Sequence, residues 1–369
     1  MAGACKHGLS DMRFPYDTRY RDGQALLRYP LGRIAYTLLL GALLAAPWLL
    51  PKFYVGEISY LFIMCVASLG LMVLVGYTGQ VSLGHSAFIA IGAYAHSWML
   101  SKGMPFIPSL VLASCFTGAI GLVIGLPAIR VSGLYLAMVT LAFAILTEHV
   151  IGHWGSVTGG FNGLSVNNPM VLGFNLSGLR PFYYLCLTVL VLVLLGLVNL
   201  MRARTGRAFM GVRDSEAAAY SLGIWVSGYK VLAFVISAMV TGLGGALLAH
   251  HVRFLTPEGF GLIMSLELVL MVTIGGLGSL RGAILGAFLI SMLPNFISRI
   301  KPLLPDQISK QFGLEIFVFG LVLALFVLFE PKGLNGRWIK FKTFLETFPL
   351  YRQDMFKRGK TYMKSERYK

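Results

Sequence analysis

The feature that most constrains this chain is a succession of apolar runs, each long enough to cross a bilayer at 1.5 Å of helical rise per residue. They fall at about 33–50, 57–76, 84–100, 107–127, 132–151, 181–200, 229–250, 262–277, 282–298 and 312–330. The pattern predicts an all-α polytopic membrane protein with about ten transmembrane helices, some broken or re-entrant. The predicted membrane body spans 33–330, between an N-terminal tail over 1–32 and a basic C-terminal tail over 331–369. Composition agrees, since 56% of the 369 residues are hydrophobic and 12% charged, too few polar groups to solvate a globule of this size.

The net charge of +16 raises nucleic acid as a partner. The basic residues sit in tails and short connections instead of one aromatic-laced patch, so they read as orientation signals beside membrane lipids, with no nucleic acid. With the N-terminus inside, 24 of the 31 Lys and Arg fall on the cytoplasmic side and both termini are cytoplasmic. The first 28 residues carry no apolar stretch of a cleavable signal peptide. Cys65, Cys115 and Cys186 lie in apolar runs, which predicts reduced thiols.

One internal stretch is polar and basic, a handle over 201–228 containing RARTGRAFMGVRDSEAAAYSLGI from Arg202 to Ile224. Asp214 and Ser215 are N-cap candidates, Glu216 suits the first turn of a helix, and Gly223 suits its stop. A short alanine-rich helix is predicted between them. The C-terminal tail is basic and aromatic, which suits anionic headgroups, a cytosolic partner or simple solvation at the membrane surface.

Chemistry-bearing residues inside the apolar runs are few. Gly76 to Tyr94 contains Gly79, Gln80, Ser82, His85 and Ser86, poor choices for a lipid-facing helix. Irregular backbone at membrane depth is tolerated against protein or a watery cavity, so the segment predicts a broken helix beside a pathway, with close small-residue packing as the alternative. Gly278, Gly282 and Gly286 stand at four-residue spacing in a second glycine-dense segment, where helix packing is the favoured reading. Glu148 and Glu267 are intramembrane carboxylates; snorkelling suits the first, and pairing or substrate contact suits the second. His149 and His153 at i and i+4 lack a third ligand, so no metal site is expected, and His250-His251 read as interfacial. Gly359-Lys360-Thr361 has Asp354 where a P-loop requires glycine, so no nucleotide-hydrolysing motif is present. Uphill transport would need ion coupling, with Glu148 or Glu267 as the ion site, or a separate ATP-hydrolysing polypeptide.

GYTGQVSLGHSAFIAIGAY (76–94), SGLYLAMVTLAFAIL (132–146), TGGFNGL (158–164), GRAFMGVRDSEAAAYSLGI (206–224) and GGLGSLRGAILGA (275–287), in this order, resemble the LivM-type permease subunits of branched-chain amino-acid ABC transporters. The likeness runs over about residues 57–335. It implies a multi-pass subunit of a bacterial inner membrane that is not itself an enzyme and holds no cofactor. ATP would be hydrolysed by two cytosolic ATPase subunits, alongside a LivH-type permease and a periplasmic substrate-binding protein. By the same resemblance, 205–224 is similar to the coupling loop of ABC importers, with Arg207, Arg213, Asp214, Ser215, Glu216, Ala217, Ala218 and Gly223 as docking candidates. That loop usually has three residues between its Glu-Ala-Ala and its glycine, whereas four separate Ala218 from Gly223 here. Gly79, Gln80, Ser82, His85, Ser86 and Glu267 are the pathway candidates. Relatives of such subunits also carry urea, short amides and aromatic acids, so a branched-chain amino acid is the default substrate.

Overall fold

A computed structural model describes residues 30–171, 174–175, 178–300, 320–321, 324–325, 328 and 333–347. Within it the chain is a helical bundle. Its first five long helices are α1 (Pro30–Leu49), α2 (Lys52–Leu71, continued by a π-helical turn Met72–Tyr77), α3 (His85–Ser101), α4 (Phe106–Gly125) and α5 (Leu134–His153). After α6 (Leu179–Arg202) come two handle helices, α7 (Arg204–Asp214) and α8 (Glu216–Ser221). The chain then returns through α9 (Val226–Val252), α10 (Leu262–Gly275) and α11 (Leu280–Ile300), and α12 (Gly333–Thr347) follows.

Among the described residues seven spans are long and apolar enough to cross a membrane, namely α2, α4, α5, α6, α9, α11 and α10 taken with the turn before it (Pro257–Gly275), fewer than the ten runs marked in the sequence. The shortfall has identifiable causes. In α1 the stretch described with its side chains begins at Ile34, and the run at 312–330 falls mostly outside the described residues. Helix α3 has 17 residues and is cut short by the glycine-rich break before it. At about 25 Å it falls short of a hydrocarbon layer of roughly 30 Å. It is largely buried from His85 to Ser97, so its first turns are surrounded by protein, while its last turn from Trp98 is more open.

Helix α9 is the centre of the bundle. It packs against α2, α3 and α4 along small residues, because between apolar helices in lipid the gain comes from close van der Waals approach. A Cβ on Gly92 would overlap the Gly242 backbone, and one on Gly245 would overlap the Ile89 carbonyl. The α10–α11 pair is built the same way, with Gly275 against Gly282 and Gly286 against the Met271 carbonyl. Gly278 is not part of that ridge; at φ 82° it turns the chain between the two helices. Helix α2 is apolar on all sides and almost wholly buried, while α5 and α6 are each only 33% buried and leave broad apolar faces open.

The long connection between α5 and α6 is not irregular throughout. Its β1 (Leu164–Ser165) pairs antiparallel with β4 (Phe254–Leu255), placing Leu164 opposite Leu255, and β2 (Met170–Val171) pairs with β3 (Phe174–Asn175). The β1–β4 contact fastens this connection to the end of α9 farthest from the handle. The expected basic tail over 331–369 also has structure where it is described, since α12 lies against α10 and α11 with Gly333 buried at the Gly276 backbone. The N-terminal tail before Pro30 lies outside the described residues.

Candidate functional site: a broken helix joined to a polar handle

The break predicted near Gly76 to Ser86 is present. Helix α2 loosens into the π turn Met72–Tyr77, and the next helix begins at His85. Thr78 Oγ1 and the Gln80 amide both return to the Leu74 carbonyl, at 2.6 and 3.2 Å. Gly79 supplies the left-handed residue the reversal needs, at φ 71°.

No side chain of its own caps α3. Amides at and just before its start are met from other helices: the Leu83 amide donates to Thr140 Oγ1 on α5 at 3.0 Å, and the first-turn Ser86 amide to Ser265 Oγ on α10 at 3.0 Å. Ser265 in turn donates to Ser86 Oγ at 2.6 Å. Gly84 is held directly against the Thr140 carbonyl, where a Cβ would overlap it. The start of α3 is thus capped in trans, and the capping residues carry no local sequence signature.

His85 is fully buried and bonded at both ring nitrogens, to Ser82 Oγ and to Ser237 Oγ, each at 2.8 Å. Ser237 donates its one proton to the Gly70 carbonyl at 2.7 Å. It can therefore only accept from the ring, which places the proton on Nε2 and leaves Nδ1 to accept from Ser82. This chain of bonds joins α2, the break, α3 and α9. Ser82, His85 and Ser86 hold helices together in this conformation, with every side-chain bond directed to a neighbouring element or to each other.

The handle contains more helix than the sequence suggested. Residues leading into the short helix form α7, which buries Ala208, Phe209 and Val212 and sets Phe209 edge-on to Tyr229 at 6.0 Å. Asp214 ends that helix and does not cap the next; Ser215 does, accepting from the Ala218 amide at 3.3 Å. Gly223, at φ 78°, closes α8, where the Gly223 and Ile224 amides return to the Tyr220 and Ala219 carbonyls, both at 3.0 Å. Ala217 and Ala218 are exposed, and so are the large apolar side chains of Tyr220 (77%), Leu222 (80%) and Trp225 (75%). Arg207 turns back to the Arg202 carbonyl at 3.0 Å.

Two polar links run from the handle into the break. Arg213 Nη1 donates to the Gly76 carbonyl at 2.7 Å. Glu216 pairs with Lys230 Nζ at 2.7 Å, and the Lys230 carbonyl accepts from Gln80 Nε2 at 3.4 Å. Lys230 is 4% exposed and Gln80 is 5% exposed, with Gln80 Oε1 left without a partner. Of the candidate residues, Gly79, Gln80, Arg213 and Glu216 are therefore brought together. Glu267 is not among them: it lies within electrostatic reach of Tyr60, in the half of α2 away from the break. Glu148 lies beside Gly261 on the way into α10. His153 bonds the His149 carbonyl at 2.9 Å through Nδ1.

Sequence reasoning missed Lys230, Ser237, Thr140 and Ser265. Lys230 carried a signal, as a lysine four residues into the apolar helix that follows the handle. The three hydroxyl residues look like ordinary small residues in apolar runs, and only the fold shows what they cap.

The sequence matches the family described as branched-chain amino acid transport system / permease component over residues 54–329. It is 31% identical to the high-affinity branched-chain amino acid transport system permease protein LivM of Escherichia coli, over 79% of this chain and 72% of that one. It is 25% identical to a probable branched-chain amino acid transport permease protein LivH of Methanocaldococcus jannaschii, over 79% of this chain and 95% of the relative. A shorter likeness, 32% over 56% of this chain and 58% of the relative, is to the autoinducer 2 import system permease protein LsrC of an Enterobacter species. No solved structure matches the chain. With the family match covering most of its length and its membrane body built as a helical bundle, this chain belongs to the permease components of branched-chain amino acid transport systems.

Proposed function

We propose that the chain is one permease of an ABC importer in a bacterial inner membrane and forms a heterodimer with a second, LivH-type permease. Two cytosolic ATPase subunits bind the handle, and a periplasmic binding protein delivers substrate at the opposite end. The observation that carries this reading is α8 and the turn after it: a capped six-residue helix, outside the apolar bundle, with Tyr220 on the helix and Leu222 and Trp225 just beyond it exposed to solvent while polar bonds fix its base. Large apolar groups on a polar projection fit a partner's groove. Arg207, Arg213, Asp214, Ser215, Glu216, Ala217, Ala218 and Gly223 surround or form that helix and are the proposed coupling residues.

The proposed pathway runs past the break when the bundle opens, lined by Gly79, Gln80, Ser82, His85 and Ser86, with Glu267 nearer the other end. Placing the handle in the cytoplasm puts both termini there as well. The proposed substrates are branched-chain amino acids or related small polar molecules; the relative named for autoinducer 2 import supports a wider range than amino acids alone. Membership of a permease family with such relatives favours ATP-driven import over ion-coupled transport through Glu148 or Glu267.

The test replaces Glu216 and Gly223 and measures ATPase binding and substrate uptake in membranes. Loss of binding together with loss of uptake supports the assignment. Unchanged values for both sink it. A binding assay on the cognate external binding protein identifies the substrate.

A further inference from the structure

Arg213 occupies an unusual position for a residue at the end of a surface helix. Its guanidinium reaches the Gly76 carbonyl, which belongs to the π turn ending α2 and is free because the chain stops being helical there. The negative pole of a long helix meets a fixed positive charge at this point, a charge-assisted bond. The same side chain runs between two left-handed glycines. A Cβ on Gly79 would stand 3.3 Å from Arg213 Cγ, and one on Gly278 would collide with Arg213 Nη1. Gly79 belongs to the α2–α3 break and Gly278 to the α10–α11 turn. The two breaks also meet directly, since a Cβ on Gly76 would lie 2.9 Å from the Gly278 nitrogen.

One side chain from the handle is therefore in contact with both interruptions of the membrane helices. Three residues further along the chain, Glu216 begins α8 and is paired with Lys230, whose carbonyl receives Gln80 from the same break. A displacement of α8 reaches the break by two routes that share no atom.

We infer that Arg213 is the positioning residue that joins handle movement to both glycine breaks, so that the α2–α3 and α10–α11 interruptions shift together when α8 is displaced. This rests on the reading of α8 as the ATPase docking element. Arg213 itself need not touch the ATPase. Its work is done on the membrane side, where the fork of the guanidinium fits between Gly79 and Gly278.

The test uses the whole transporter, this chain with its partner permease, ATPase subunits and binding protein, reconstituted in proteoliposomes. The measurement is ATP hydrolysed per substrate taken up. Arg213→Met is expected to co-purify with the ATPase subunits and to hydrolyse ATP, while uptake falls about tenfold or more, the equivalent of one charge-assisted hydrogen bond. Arg213→Lys keeps the charge, loses the fork and is expected to restore part of that loss. Gly278→Ala, which pushes on the guanidinium and also strains the left-handed turn between α10 and α11, is expected to raise the ratio as well. If Arg213→Met does not assemble, the lysine and alanine variants give the same reading. A ratio unchanged from wild type, with hydrolysis and uptake falling in parallel, means that Arg213 only stabilises the fold and overturns the inference. Failure of the wild-type chain to bind the ATPase subunits overturns the docking assignment instead, and the two failures are told apart without any variant.

Discussion

The ammonium of Lys230 lies 2.7 Å from the carboxylate of Glu216, yet the two side chains live in different surroundings, 6% and 51% exposed. Removing one partner is therefore not equivalent to removing the other. Glu216→Gln leaves a buried ammonium without its counter-charge and is expected to cost about 1 to 2 kcal/mol, the lower range because the carboxylate is half in solvent. Lys230→Met removes the buried charge, leaves Glu216 free to hydrate and is expected to be close to neutral. Thermal unfolding of the purified chain in detergent should rank Glu216→Gln below Lys230→Met. The reverse order would show that the lysine is hydrated in solution.

The start of α3 depends on hydroxyls supplied by other helices. Ser265→Ala leaves the first-turn amide of Ser86 without an acceptor and Thr140→Val does the same to the amide of Leu83 just before the helix, and each is expected to cost about 1 to 2 kcal/mol. Ser86→Ala keeps the amide bond to Ser265 and is expected to cost less. Amide exchange near Leu83 to Ala87 should accelerate in the first two variants and stay near wild type in the third.

Glycines at backbone contacts should be intolerant in proportion to what a Cβ would meet. Gly245→Ala and Gly286→Ala drive a methyl into the Ile89 and Met271 carbonyls, and are expected to lower stability by about 1 to 3 kcal/mol through forced helix separation. Gly196→Ala on α6 meets nothing within 4 Å and should gain up to about 1 kcal/mol from helix propensity. Melting temperatures of the three variants in one detergent decide the matter.

Gly223 has open space around it, so only its backbone conformation restricts replacement. Gly223→Ala is expected to weaken the end of α8 by about 1 kcal/mol, and Gly223→Asn by less, because asparagine tolerates the left-handed region. The amide of Ile224, bonded to the Ala219 carbonyl, is the reporter for exchange.

Much of the architecture was legible in the chain. Apolar runs at helical length marked α1 to α6 and α9 to α11, and the glycine and polar residues of 76–86 marked the broken one, because lipid tolerates neither charge nor open backbone. Ser215 and Gly223 were legible as helix punctuation for the same local reason. What could not be read was long-range. Asp214 looks as good a cap as Ser215 until α7 is seen to run through it. Gly278 fits a packing ridge by spacing, yet it turns the chain, since spacing alone does not say where a helix ends. Ser265 and Thr140 cap α3 from 179 and 57 residues away, and no window of sequence contains both partners.

The glycine contacts along α9 and between α10 and α11 have a consequence for stiffness. Where backbone rests on backbone, helices cannot roll or slide without a steric step, so α2, α3, α4 and α9 behave as one solid and α10 with α11 as another. The two solids are pinned to each other where Gly76 meets Gly278; away from that point their facing surfaces are bridged by groups that exchange partners at little cost: Ser86 with Ser265, Ser68 with the Ala283 carbonyl at 3.5 Å, and Asn295 with Glu57 at 2.6 Å. Spin labels placed across that seam far from Gly76 and Gly278 should change their separation during turnover, while pairs flanking those two glycines and pairs within either solid should keep theirs. The least deformable contacts in the bundle thereby decide where it is able to part.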